Sequence, residues 1–474
     1  MSLDLEGYRL FQQLYFSQRL CHESIVHHLN QKGELSTHSR PFDTVSFSNR
    51  YYQDSLIVCL KSYRSFEDYL AKVLKQHGII HKAKTRGLVD EVIACLFSAF
   101  EENTEEFDVK KHAKLVSSRI KLLKSKFVNR TYIIPIRLIH EQSPSAFKIG
   151  EVFFLNKETF ERTMLELGPW FEEEETRYTE INTPSHYKKI QNTYMRFRWF
   201  ASLEIESSEG KVAAERADEV VSITLKFLQI LIRPYWSDHF SIAYGHYDTQ
   251  SYGRLHFSRE GTGTLSSNAA EENVGLTAGW HERLVYSPEL KRTLRAFENV
   301  QFRMMKHDLS KNLDKRIINA IYWFGCGASE QRPEVAIVHY FTSLESLFIV
   351  KKVQNISETI KLRAAPFLVG LYMDDFKLNP YADIACLYGL RSKIVHGSKL
   401  PGREVMENEL YRVMEITRQS IIAFLDEVGS EGTISGSVSN PKLEKWFDDY
   451  GASFLNSPVG DKWMKEVKEK TDSA

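Results

Sequence analysis

The sequence predicts a mainly α chain with an α+β middle region, and three observations carry that expectation. Apolar residues recur at helical spacing through about residues 5–130. Composition changes near Tyr132, where short apolar runs and an alternating segment replace the helical stripes. From about Pro288 the helical period returns and persists to about Val428. With 474 residues, 42% of them hydrophobic, the chain exceeds what one core usually serves and can build two or three domains.

Taken in order, Ser55 to Leu74 carries Leu56, Cys59, Leu60, Tyr63, Phe66 and Leu70 as one helical stripe, and Leu88 to Phe100 continues in that style. Residues 1–130 are therefore expected to form an N-terminal helical region. Tyr132 to Ile136 and Val152 to Leu155 read as short buried strands, and Tyr194 to Ile205 alternates like a half-exposed one. Val212 to Ile232 returns to helical spacing, and Ser241 to Gly263, rich in Tyr, Gly, Ser and His, reads as strands and loops closing an α+β region over 131–285. Leu290, Leu294 and Phe297 at i, i+4, i+7 lead into Ile317, Ile318 and Ile321. Arg332-Pro333 then marks the start of a helix over Val335 to Val350. A last long helix is expected from about Arg403 to Val428, with a Gly/Ser linker and tail over 431–474. Within that tail, Lys442 to Lys470 reads as a short amphipathic helix docked elsewhere.

Lys plus Arg and Asp plus Glu both total 62, so there is no global basic field of the kind a DNA-coating protein carries, and any RNA contact must come from local patches. Five scattered cysteines without a Cys-x-x-Cys pair argue against a disulfide framework or structural zinc, and a reducing cytoplasm is the expected location. Met1 to Glu6 lacks a signal layout, and the longest apolar run, Ile223 to Ile232, is interrupted by Lys226 and Gln229, so no membrane span is expected. Neither His22, His27 and His28 nor His239, His246 and His256 has metal-ligand spacing, and Gly261 to Thr264 lacks the lysine of a phosphate loop. No cofactor or metal is expected.

The most informative stretch is Leu387 to Gly397, which sets Arg391 and His396, with four residues between them, on a largely apolar segment. Arginine presents a permanently charged planar fork suited to phosphate oxygens, and histidine can take and return a proton near neutral pH. The pair describes a minimal metal-free phosphodiester site. On an unbroken helix the two lie about 140° apart at about 100° per residue, so they cannot simply stack. Leu387, Leu390 and Ile394 are expected to bury one stripe, and Gly397 to end the helix. A structural alternative makes Arg391 a packing or salt-bridge arginine and His396 a histidine stabilised by the helix C-terminus.

Leu390 to Gly397 resembles the Leu-Arg-Ser/Asn-x-Ile-Val-His-Gly motif of the Apea-like branch of the HEPN superfamily. Asn319 to Phe324, Tyr340 to Phe348 and Leu362 to Ala365 resemble that family's preceding helices. The resemblance implies a C-terminal HEPN helical bundle over 286–430 that works as a homodimer. It also implies a metal-independent endoribonuclease in which His396 is general acid or base and Arg391 stabilises phosphoryl charge. Glu345 sits in the family's Leu-Glu helix and would orient either residue, or serve as a buried ion-pair partner. Ser392 stands where the superfamily prefers Asn, Asp or His, and Arg363 and Lys393 are cationic candidates for nearby phosphates. Two local patches are candidates for RNA capture: the basic run containing Lys121 and Lys124, and Arg196 with Arg198, which alternate with aromatics. The implied role is antiviral defence by abortive infection, acting on RNA, tRNA included. The N-terminal region would be a sensor answering a phage-derived trigger, or the protein would be held by an antitoxin. The alternatives are a non-catalytic HEPN module that dimerises and binds RNA or nucleotide, or the toxin of a toxin–antitoxin pair.

Overall fold

The computed structural model describes residues 3–15, 44–47, 56–83, 85–102, 107–139, 143–166, 194, 197–232, 237, 240–243, 254–258, 263–266, 279–306, 309, 312–372, 380–397, 402–430, 438–458, 460–461 and 465. The fold is mostly helical with a small antiparallel sheet. Two units divide the chain: Met1–Arg130 with Glu206–Glu215, and Thr131–Ile205 with Arg216–Ala474.

In the first unit α1 (residues 3–15) precedes β1 (Thr44–Phe47) and β2 (Leu56–Cys59), which pair antiparallel with Thr44 opposite Cys59. Strand β2 runs straight into α2 (Leu60–Gln76), so the helix expected from Ser55 begins later. Ile57 and Val58 are β-branched and suit an extended backbone, and pairing with Thr44–Phe47 decides for the strand. Helices α3 (Thr85–Glu102) and α4 (Val109–Ser125) follow, α4 starting at Asp108, whose carboxylate accepts the Lys111 amide at 2.8 Å. Phe11, Phe66, Tyr69 and Phe97 fill the core. Among these rings sits His112, fully buried, with both ring nitrogens lacking a hydrogen-bond partner among the described residues. Its ring centroid is 5.9 Å from that of Phe11 and 6.1 Å from that of Tyr69. Burial lowers its pKa to about 4, so it stays neutral.

The sheet contains β3 (Val128–Arg137), β4 (Ala146–Ile149), β5 (Val152–Asn156), β6 (Trp199–Ser208), β7 (Ser241–Ile242), β8 (Arg254–Ser258) and β9 (Gly263–Ser266). Its order is β4-β5-β6-β3-β8-β9, with β7 also paired to β3. The alternation expected before Ile205 starts only at Ala201: Ala201, Leu203 and Ile205 are buried, Ser202 and Glu204 half-buried. Helix α5 (Lys157–Glu166) packs Phe160 on Phe200 of β6 with centroids 3.8 Å apart. Helix α6 (Gly210–Ile232) stacks Phe227 on Phe297 at 3.9 Å.

Phe297 belongs to the helical part of the second unit. That part runs through α7 (Trp280–Tyr286), a single 3₁₀ turn (Pro288–Leu290), α8 (Lys291–Met305), α9 (Asn312–Ala328) and α10 (Pro333–Phe348). It continues with α11 (Ile356–Tyr372), α12 (Pro380–Val395), α13 (Arg403–Gly429) and α14 (Asn440–Leu455). The α8 side chains facing inward are Thr293, Ala296, Phe297, Val300, Gln301 and Met304, while Leu290 and Leu294 stay at its margin. Helix α10 packs against α9 and α13, and α12 lies against α11 and α10. The tail helix α14 packs on α11 of this same bundle. Phe447 is buried against Phe348 at 5.6 Å and Phe424 at 5.9 Å, and Tyr450 stacks on Phe367 at 4.7 Å. No helix among the described residues is long and apolar enough to cross a membrane.

Candidate functional site

Helix α10 is the platform. Its Ser343 hydroxyl donates to the Ala320 carbonyl of α9 at 2.6 Å inside the core. Its carboxyl-terminal carbonyls, which lack helical partners, are taken up by two arginines. Arg316 donates to the Ser346, Ile349 and Val350 carbonyls at 3.1, 2.6 and 2.9 Å. Arg363 donates to the Phe348 carbonyl at 2.9 Å. With the helix end so held, Glu345 emerges one turn earlier at the margin of the core.

Glu345 meets α12. The Arg391 guanidinium lies 3.2 Å from the Glu345 carboxylate, with side chains 22% and 23% exposed. The Tyr388 hydroxyl donates to that carboxylate at 3.3 Å, and its ring lies 5.4 Å from the Arg391 guanidinium carbon. Phe341, one turn before Glu345, meets the Tyr388 ring edge-on at 5.3 Å. Burial first, and then the neighbouring carboxylate, push the Tyr388 phenol above its ordinary pKa, so it remains a donor. Tyr388 was not singled out from sequence, although its i, i+3 spacing to Arg391 put both on one helix face.

His396 occupies a different place. Its amide bonds the Ser392 carbonyl at 3.0 Å, the Gly397 amide bonds Ile394 at 3.2 Å, and Gly397 then takes φ +67°, closing the helix with a left-handed residue. The imidazole is exposed and follows Cys386, Gly389 and Lys393 along the solvent face at i, i+3, i+7, i+10. Arg391 is half-buried against Glu345. No hydrogen bond or ion pair among the described residues joins His396 to Arg391 or Glu345. The apolar stripe is also less covered than its spacing suggests: Leu387 is buried, but Leu390 and Ile394 are half-buried and Val395 is 51% exposed.

Of the other sequence candidates, Ser392 is half-buried beside the site and Lys393 is exposed. Arg363 is 7% exposed and does not join them. Besides the Phe348 carbonyl, it reaches Asp448 at 3.2 Å and Glu444 at 3.5 Å on α14, over the Phe447 ring at 5.3 Å. Neither a solvated surface charge nor a phosphate ligand describes it: the guanidinium fastens the tail helix. Lys121 and Lys124 are exposed on α4 in the first unit, Arg198 is half-buried in the second, and Arg196 lies outside the described residues. No group of three or more metal-ligating side chains occurs among the described residues. Comparison with protein-family models, with curated proteins and with solved structures finds no match to this chain.

Proposed function

We propose that the chain is a metal-independent endoribonuclease of the Apea-like HEPN kind, acting as a dimer in antiviral defence by abortive infection. The observation that supports this most directly is the aimed guanidinium of Arg391, held by Glu345 and Tyr388 five residues before an exposed, helix-terminal His396. In this reading His396 takes the proton of an RNA 2′-hydroxyl, whose oxygen attacks the adjacent phosphorus. The P–O5′ bond breaks and the departing 5′-oxygen takes up a proton, returned by His396 or drawn from solvent, leaving a cyclic phosphate on one product and a 5′-hydroxyl on the other. Arg391 balances the charge gathering on the phosphoryl oxygens.

Arg391 is half-buried against Glu345 while His396 is exposed and not bonded to it, and a second copy that completes the site belongs to this reading. The uncovered Val395, with Val405 and Tyr411 exposed on α13, supplies apolar surface for it. Regulation by residues 1–285, in answer to a phage-derived trigger or an antitoxin, belongs to the same reading, and tRNA is among the substrates to try.

The test is cleavage of total RNA and tRNA in EDTA by wild type and His396→Ala, with ends mapped. Loss of roughly 10²–10⁴-fold is expected for an acid/base histidine, and equal activity removes His396 as catalyst. The absence of any bond from His396 to Glu345 favours a second reading, a non-catalytic module that dimerises and binds RNA or nucleotide. Arg391→Lys separates the two, since loss of the guanidinium fork abolishes cleavage but leaves a simple charge contact largely intact.

A further inference from the structure

We propose that Cys326 is a nucleophilic thiol, set beside the Lys226 ammonium, that is oxidised by peroxides. This site is independent of the ribonuclease reading. It forms where Lys226 of α6 meets Tyr322 and Cys326 of α9. Gly325 leaves room for the lysine stem: a Cβ there would overlap Cγ of Lys226. Past that gap the Lys226 ammonium lies 3.9 Å from the Cys326 sulfur and 5.2 Å from the centre of the Tyr322 ring. Tyr322 and Cys326 are one turn apart on α9, so cation, ring and thiol converge.

The Cys326 sulfur is the group that this lysine faces. No carboxylate among the described residues pairs with Lys226. Burial lowers its pKa from the ordinary lysine value, while Cys326 opposes that shift, so the ammonium is a ready proton donor. The neighbouring thiol, foremost, pushes the Tyr322 phenol up, keeping it neutral. Cys326 is a free, half-buried cysteine and Tyr322 is 44% exposed, which leaves access for a small oxidant.

In the reaction the thiolate sulfur attacks one peroxide oxygen. An S–O bond forms, the O–O bond breaks, and two electrons pass from sulfur to the peroxide. The departing hydroxide takes the Lys226 proton and leaves as water, giving Cys326 sulfenic acid and a neutral amine that solvent reprotonates.

Two other cysteines provide internal controls. Cys95 faces the Arg119 guanidinium at 3.1 Å, a cation that cannot give up its proton, and Cys386 is exposed. The full chain is treated with dilute hydrogen peroxide at pH 7 in the presence of a sulfenic-acid trap, and each cysteine is followed by mass spectrometry. Cys326 is expected to label about tenfold faster than Cys386, Cys95, or the same thiol in urea. Lys226→Met should remove that advantage. Lys226→Arg should keep alkylation by iodoacetamide fast and leave peroxide oxidation slow. If native Cys326 reacts no faster than Cys386 or than in urea, the proposal is overturned, and that comparison needs no variant to fold.

Discussion

Two arginines near the carboxyl end of α10 do opposite things with the same chemistry. Around Arg363 the bundle is closed: Arg363 is 7% exposed, tied to a backbone carbonyl and two carboxylates, and set over the Phe447 ring, itself packed in an aromatic cluster with Phe348 and Phe424. Around Arg391 it is less closed: one carboxylate and one ring hold the arginine, its buried Nε–H is without a hydrogen-bond partner among the described residues, and the adjoining turn exposes Lys393, Val395 and His396. Arginine chemistry alone does not separate a fastening from a site. What separates them is how many of the five donors the protein itself satisfies.

Substitutions that break this contrast on its closed side should cost most. Phe447→Ala empties a position in the aromatic cluster and should destabilise the bundle by about 3–5 kcal/mol, read as a lower denaturation midpoint. An unchanged midpoint would mean that α14 adds nothing to the core.

Histidines extend the comparison. His112 is buried and neutral with its pKa lowered to about 4, against an ordinary 6.5, whereas His396 is exposed. Between those two pH values the unfolded chain binds a proton that the folded core refuses. Stability is therefore full above about pH 6.5, declines as pH falls toward 4, and stops declining below it. The loss is on the order of 3 kcal/mol, and His112→Phe should flatten it in a series of melts. A slope that survives the substitution would assign it to other groups.

The smallest effect belongs to the less closed side. Glu345→Gln should shift stability by less than about 1 kcal/mol, because the pair is only part-buried. If Glu345 positions Arg391 for RNA cleavage, the same variant should lose about tenfold in turnover. Unaltered turnover would remove it from that role.

Much of the helical plan was legible because an apolar stripe at period 3.6 survives any neighbour: Arg403 to Val428 was expected and Arg403–Gly429 is helical. The start of α2 was not, since Leu56 to Cys59 fits a helical stripe and an extended run equally, and pairing with Thr44–Phe47 decides it. The Arg391 and His396 spacing announced that they would lie on different faces. Arg363 could not be sorted from sequence, because its partners Asp448 and Glu444 lie 85 and 81 positions away. The same distance hid the tail helix's destination.

Gln301 has a wider meaning than its size suggests. Its amide oxygen accepts the Glu151 N–H, and its amide nitrogen donates to the Thr224 hydroxyl at 2.7 Å and the Ile149 carbonyl at 3.4 Å. A Cβ on Gly150, which has φ +58°, would overlap that amide. The turn between β4 and β5 is thus riveted to α6 and α8. A hinge cannot open at that joint while the rivet holds, so a push on this corner of the sheet reaches α8, and α13 packed against it, as a shift of one stiff body.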